Sequence, residues 1–92
     1  MIFEWDFSKN RSNIEKHGLD FESAKRLLED PDRLEIQTPY PIENRTILIG
    51  KIDRQVWTAI YTLRGKAIRI ISVRRSRGKE RALYEKEKLG PK

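Results

Sequence analysis

Three groups of side chains in this sequence could act on a phosphodiester. Lys9, Asn13 and His17 recur every fourth residue, so on a helix they line one face. Arg64, Arg74 and Arg75 bracket an apolar run, and Arg45 opens a second one. Glu80, Arg81 and Tyr84 follow, with Glu80 and Tyr84 one helical turn apart. Cutting RNA without a metal takes a base near the 2′-hydroxyl, cations around the phosphate and a proton donor for the leaving oxygen. Lys9 or His17 suits proton transfer, a lysine only where neighbouring cations lower its pKa. Arg45, Arg64, Arg74 and Arg75 suit the phosphate, which a guanidinium grips through two parallel hydrogen bonds. Glu80 could orient arginines or act as a base, and Tyr84 could stack on a nucleobase or donate a proton.

Each group also has a plainer reading. Lys9, Asn13 and His17 make an ordinary solvated stripe, with His17 near the helix C-terminus where its charge suits the dipole. Strand arginines also discourage edge-to-edge aggregation, and Arg69 reads that way. Glu80 could pair with a sheet residue and Tyr84 could pack. Trp5, Trp57 and Tyr61 read as core residues. The Phe21, Leu27 and Leu28 stripe is core.

Composition narrows the chemistry. One histidine and no cysteine leave no metal-ligand cluster and no thiolate. No Gly-rich phosphate loop or Ser–His–Asp order is present. The expectation is therefore metal-independent chemistry with no cofactor. Net charge is +6, unevenly placed. Residues 1–43 carry 6 Lys/Arg against 10 Asp/Glu, a net of −4, and residues 44–92 carry 14 against 4, a net of +10. A basic half with Trp57, Tyr61 and Tyr84 suits single-stranded nucleic acid, although solubility or an acidic protein partner would also account for the charge. No apolar run is long enough for a membrane span, and the acidic start Met1–Asp6 is unlike a signal peptide. The expected location is the cytoplasm.

The elements that must position these residues are legible from caps and periodicity. After an extended Ile2–Trp5, Asp6 caps a helix running to about His17 and stopped by Gly18. Asp20 caps a second helix that Pro31 ends. Alternation then marks strands at Leu34–Ile36, Arg45–Gly50, Val56–Thr62 and Ala67–Arg74, with a loop at Thr38–Pro41. Asp53 and Gly65 form the turns. Simple alternation puts Arg69, Ile71, Val73 and Arg75 on one face of the last strand, and Ile68, Ile70, Ser72 and Arg74 on the other. Arg45 points with Ile47 and Ile49. A final helix spans about Arg77 to Leu89 and ends near Gly90–Pro91; Gly78 is a poor interior residue, so this helix should start late or bend. The class is α+β: two N-terminal helices, a four-stranded antiparallel meander and a C-terminal helix, in one domain over residues 1–92.

The ordered motifs resemble one family. Phe3-Glu4-Trp5-Asp6-x-x-Lys9-x-x-x-Asn13-x-x-Lys16-His17-Gly18 is similar to the opening of BrnT toxins. Arg45-x-x-x-Ile49-Gly50, Tyr61-Thr62-x-Arg64-Gly65-x-x-Ile68-Arg69-Ile70-Ile71-Ser72-x-Arg74 and Glu80-Arg81-x-x-Tyr84 continue the resemblance in order. It implies a RelE-like fold and a metal-independent endoribonuclease that blocks translation. It also implies a BrnA-type antitoxin, in a 2:2 complex that binds operator DNA through the antitoxin. Carried over by position, Lys9, His17, Arg45, Arg64 and Arg74 handle RNA, supported by Glu80, Arg81 and Tyr84. Arg75 extends the strand's arginine end. Two other readings share these features: a RelE-like toxin acting on another target such as DNA gyrase, and a non-catalytic nucleic-acid-binding corepressor.

Overall fold

The computed structural model describes residues 1–39 and 43–89. The first helix, α1 (Phe7–His17), starts where Asp6 Oδ1 accepts from the Ser8 and Lys9 amides at 2.8 and 3.1 Å. It stops at Gly18, whose φ of 77° is left-handed and whose N–H bonds the Ile14 carbonyl. Asp20 caps the four-residue α2 (Phe21–Ala24), which tightens into a 3₁₀ segment, Lys25–Glu29, before Pro31. The second expected helix is therefore short and half 3₁₀.

The sheet has five strands: β1 (Ile2–Glu4), β2 (Leu34–Thr38), β3 (Arg45–Ile52), β4 (Gln55–Arg64) and β5 (Ala67–Arg75). Their order is β1-β5-β4-β3-β2. Strands β2 to β5 form the expected antiparallel meander. The count of four is corrected by β1, which pairs in parallel with β5 (Phe3 opposite Ile68) and makes the sheet mixed. Its partner lies far off in sequence, so no local signal announces it. The hairpins are tighter than expected, each with a two-residue turn that begins at Asp53 (φ 57°) or Gly65 (φ 59°). Of the expected Thr38–Pro41 loop, Thr38 ends β2, while Tyr40 and Pro41 lie outside the described residues, as do Gly90 and Pro91.

One irregularity decides which side chains share a face. Ile60 pairs with Ser72 but Tyr61 pairs with Ile70, so Ile71 bulges out of β5. Simple alternation fails there, and the face assignment above is corrected. Ile68, Ile70, Val73 and Arg75 point one way; Arg69, Ser72 and Arg74 point the other, with their partners Thr62, Ile60 and Thr58.

The first of these faces packs against α1, α2 and the 3₁₀ segment around Phe21, Leu27, Leu48, Trp57, Tyr61 and Val73. Gly50 allows the 3₁₀ segment to come this close. A Cβ there would stand 3.3 Å from the Leu27 carbonyl oxygen and 3.4 Å from Asp30 Oδ2. Gly50→Ala is expected to destabilise the fold by about 1–2 kcal/mol, read as a lower urea midpoint at unchanged slope. The second face is half covered. The C-terminal helix α3 (Gly78–Leu89) sets Tyr84 over Ile49 and Val56, with Ile47 and Leu34 at the margin. On the rest of that face, among the described residues, Thr58 and Thr62 are buried. Ile36, Ile60, Arg69, Ser72 and Arg74 keep part of their surface exposed, and this part is the open side of the sheet.

Candidate active site

The residues singled out from the sequence do not all come together. Arg74 is held by its neighbours. Its Nη1 and Nη2 donate to the two Glu80 oxygens at 2.7 and 2.8 Å, a bidentate pair linking the end of β5 to the first turn of α3. Glu80 Oε1 also accepts from the Arg77 amide at 2.7 Å, so it caps the helix that begins, one residue late, at Gly78. The Arg74 contact, with help from that amide, holds the Glu80 carboxyl down at about 2. A carboxylate so acidic is a poor base near neutral pH, and of the two roles considered for Glu80, orienting Arg74 is the one this geometry favours. Beneath the pair, Thr58 and Ser76 share a buried hydroxyl contact of 2.7 Å.

The Glu80 shift also predicts an acid limit. Its folded pKa lies below the ordinary 4.5, so the stabilisation is complete above pH 4.5 and is lost as pH falls toward 2. Glu80→Gln should flatten the decline of stability between those pH values, by on the order of 2 kcal/mol in chemical unfolding.

Arg45 and Arg64 stand on the same open face as Arg74. Arg45 is half-buried and lies opposite Thr38. Arg64 is 54% exposed, 3.8 Å from Glu43, and lies opposite Ala67 at the far end of β5. Six residues of β4 separate Arg64 from Thr58, the partner of Arg74, which is ~20 Å of strand. A single phosphate cannot be clamped by both. Their separation thus corrects the expectation that Arg64 and Arg74 clamp one phosphate together.

The α1 trio divides as well. Asn13 is 6% exposed and structural. Its Nδ2 donates to the Val73 and Leu19 carbonyls at 2.7 and 2.9 Å, and its Oδ1 accepts from the Val73 amide at 3.1 Å. The side chain thereby acts as a further strand along β5 beyond the end of β1. At about 100° per residue, Lys9 and His17 lie ~40° to either side of Asn13. His17 falls with Asn10, which caps the Phe21 amide on the helix-covered side. Lys9 falls on the other side, toward the open face. Both side chains are exposed.

The remaining residues lie elsewhere. Arg75 points to the helix-covered face, its guanidinium 5.7 Å from the Trp57 ring centre. Arg81 donates to the Ser76 carbonyl at 2.7 Å. Tyr84 is 1% exposed, and its hydroxyl donates to Asp30 Oδ2 at 2.6 Å. Burial and the Asp30 carboxylate push the Tyr84 hydroxyl above its ordinary range. The packing reading therefore accounts for its position, with no ring face left for a base. Burial also raises Asp30, but the Tyr84 hydroxyl and the Asp32 and Lys51 amides outweigh it, for a net lowering. Asp30 thus joins the 3₁₀ segment, β3 and α3, a role sequence reasoning missed because its partners lie 21 and 54 residues away.

An open antiparallel face thus carries Arg45, Arg64, Arg69 and Arg74, with Lys9 at its margin. Such a surface can hold a phosphate chain and stabilise charge developing on one phosphorus. A search among curated proteins gives no match. The model of a family described as ribonuclease toxin, BrnT, of type II toxin–antitoxin system matches residues 5–80, a span that holds every one of these basic residues and ends on the partner of Arg74. The chain belongs to the BrnT family of ribonuclease toxins of type II toxin–antitoxin systems.

Proposed function

We propose that this chain is a RelE-like, metal-independent endoribonuclease that cuts single-stranded RNA on the open face of its sheet and so inhibits translation. The observation that carries the reading is the fixed guanidinium of Arg74. Glu80 holds it rigid at the edge of a basic, open surface, which is the preorganised positive charge a phosphorane needs. Lys9, on the flank of α1 turned toward this face, is the first candidate for proton transfer. His17, on the other flank, is the second. Arg45 and Arg64 bind the RNA chain away from Arg74. Among the described residues, no three His, Asp or Glu groups converge on one point. No helix among the described residues is long and apolar enough to cross a membrane.

The partner in this reading is a BrnA-type antitoxin that covers basic surface in a 2:2 complex, with operator DNA bound by the antitoxin. The test is cleavage of a defined single-stranded RNA by purified protein in EDTA, with antitoxin added in a parallel reaction. Cleavage leaving a 2′,3′-cyclic phosphate and a 5′-hydroxyl, quenched by antitoxin, is the expected result. A folded protein that leaves RNA intact with and without ribosomes would overturn it in favour of the gyrase or corepressor reading.

A further inference from the structure

Arg69, read from the sequence as an edge charge, occupies a more telling position in the fold. Its strand partner is Thr62, and Thr46 pairs with Tyr61, so Arg45 lies level with Thr62 on the neighbouring strand. Arg45 and Arg69 therefore flank Thr62 in one row across the open face. Glu4 extends the row on β1, and its Oε2 accepts from Arg69 Nη1 at 3.0 Å. Arg69 keeps 27% of its side chain exposed and Glu4 40%.

From Thr62 to Thr58, the partners of Arg69 and Arg74, β4 advances four residues, or ~13 Å. The row between them is apolar: Ile36, Ile47 and Ile60, ending in Ser72. None of the aromatic side chains among the described residues stands on the open part of this face, since Trp57 and Tyr61 are in the opposite core and Tyr84 is under α3. The open surface thus alternates charge, apolar contact and charge, with no aromatic ring among the described residues to stack a base.

We infer that the Arg45–Arg69 row is a second phosphate station, which takes a phosphodiester of single-stranded RNA at a fixed distance from the one at Arg74. The inference rests on the RNA-cutting reading above. A strand rises ~3.4 Å per nucleotide when stacked and extends to about twice that when unstacked. A gap of ~13 Å therefore spans about two to four nucleotides. The bases between the stations lie on the isoleucine row, which offers no hydrogen bonds. Recognition there depends on chain length and phosphate charge, with little regard to base identity. Glu4 competes with the phosphate for Arg69 and so weakens this station.

The test uses full-length protein and an octanucleotide with one ribose at the cleavage position and 2′-deoxyriboses elsewhere. Each phosphate in turn is replaced by a neutral methylphosphonate. Wild-type cleavage should be sensitive at the scissile phosphate and at a second phosphate two to four nucleotides away, about tenfold in KM at the second. In Arg69→Gln the second sensitivity should fall to the part that Arg45 supplies, the first remain, and the log–log salt dependence of binding drop by about 0.7. Glu4→Gln should tighten binding about threefold. Glu15→Gln, the same charge change on exposed α1 surface, should not. A gain of affinity on removing Glu4 is not an effect that loss of a structural ion pair can produce. Sensitivity at the scissile phosphate alone, or an Arg69→Gln profile identical to wild type, would overturn the second station and leave the RNA-cutting reading in place. An uncut octanucleotide, alongside uncut longer RNA, would overturn that reading itself.

Discussion

Asn13→Ala is expected to lower the unfolding free energy by about 3 kcal/mol and the melting temperature by roughly 15 °C. The side chain satisfies three backbone groups at once, the Val73 amide and carbonyl and the Leu19 carbonyl. Alanine leaves all three to a site that is nearly closed to water. Each stranded buried group costs about 1–3 kcal/mol, and partial hydration at the end of α1 brings the sum toward the lower end. Asn13→Asp separates hydrogen bonding from shape. The carboxylate keeps the acceptor for the Val73 amide but turns a negative oxygen toward two carbonyls. That variant should be at least as unstable at neutral pH and regain stability in acid, where the protonated form again donates. Denaturant titrations at two pH values would settle the matter. An Asn13→Ala midpoint within error of wild type would mean that α1 is held by its apolar contacts alone.

Arg74→Ala should reduce RNA cleavage by about 10²–10³-fold at saturating substrate while the protein stays folded. The loss belongs in kcat, because a guanidinium held by Glu80 strengthens its contact as charge builds on the phosphorus. Lysine cannot make the paired contact with Glu80, so Arg74→Lys should recover little of the rate. Glu80→Gln keeps one acceptor and leaves Arg74 in place but less firmly held, and should cost about tenfold. Arg64→Ala, ~20 Å along the strand, should raise KM instead. Added to Arg74→Ala, it should abolish measurable cleavage. Equal kcat for wild type and Arg74→Ala would remove Arg74 from the reacting phosphate and with it the proposed site.

How much of this was legible in the sequence depended on range. Asp6, Gly18, Asp20 and Gly65 act on backbone within a few residues, so helix starts, stops and the second hairpin could be read directly. The meander followed from alternation and short turns. Two non-local features could not be read. One is β1, three residues whose only sheet partner is β5. The other is the Ile71 bulge, set by how β4 and β5 fit together and marked by no glycine or proline. That bulge moves Arg74 from the side of Ile68 and Ile70 to that of Arg45, and so decides whether there is a common basic surface. Asn13 illustrates a different limit: its spacing from Lys9 and His17 was correct, but spacing does not reveal that the middle member turns inward.

The contacts that close the sheet join the two ends of the chain. Glu4 meets Arg69 across 65 residues and Asn13 meets Val73 across 60. Folding during synthesis proceeds from the N-terminus, yet here the first strand and first helix have no seat until β5 exists. A ribosome making this protein therefore carries an unfinished sheet until Arg75, the last residue of β5, has been added. Glu80, the partner of Arg74, comes later still. The basic face and the pair that fixes Arg74 are thus the last parts of the sheet's surface to form.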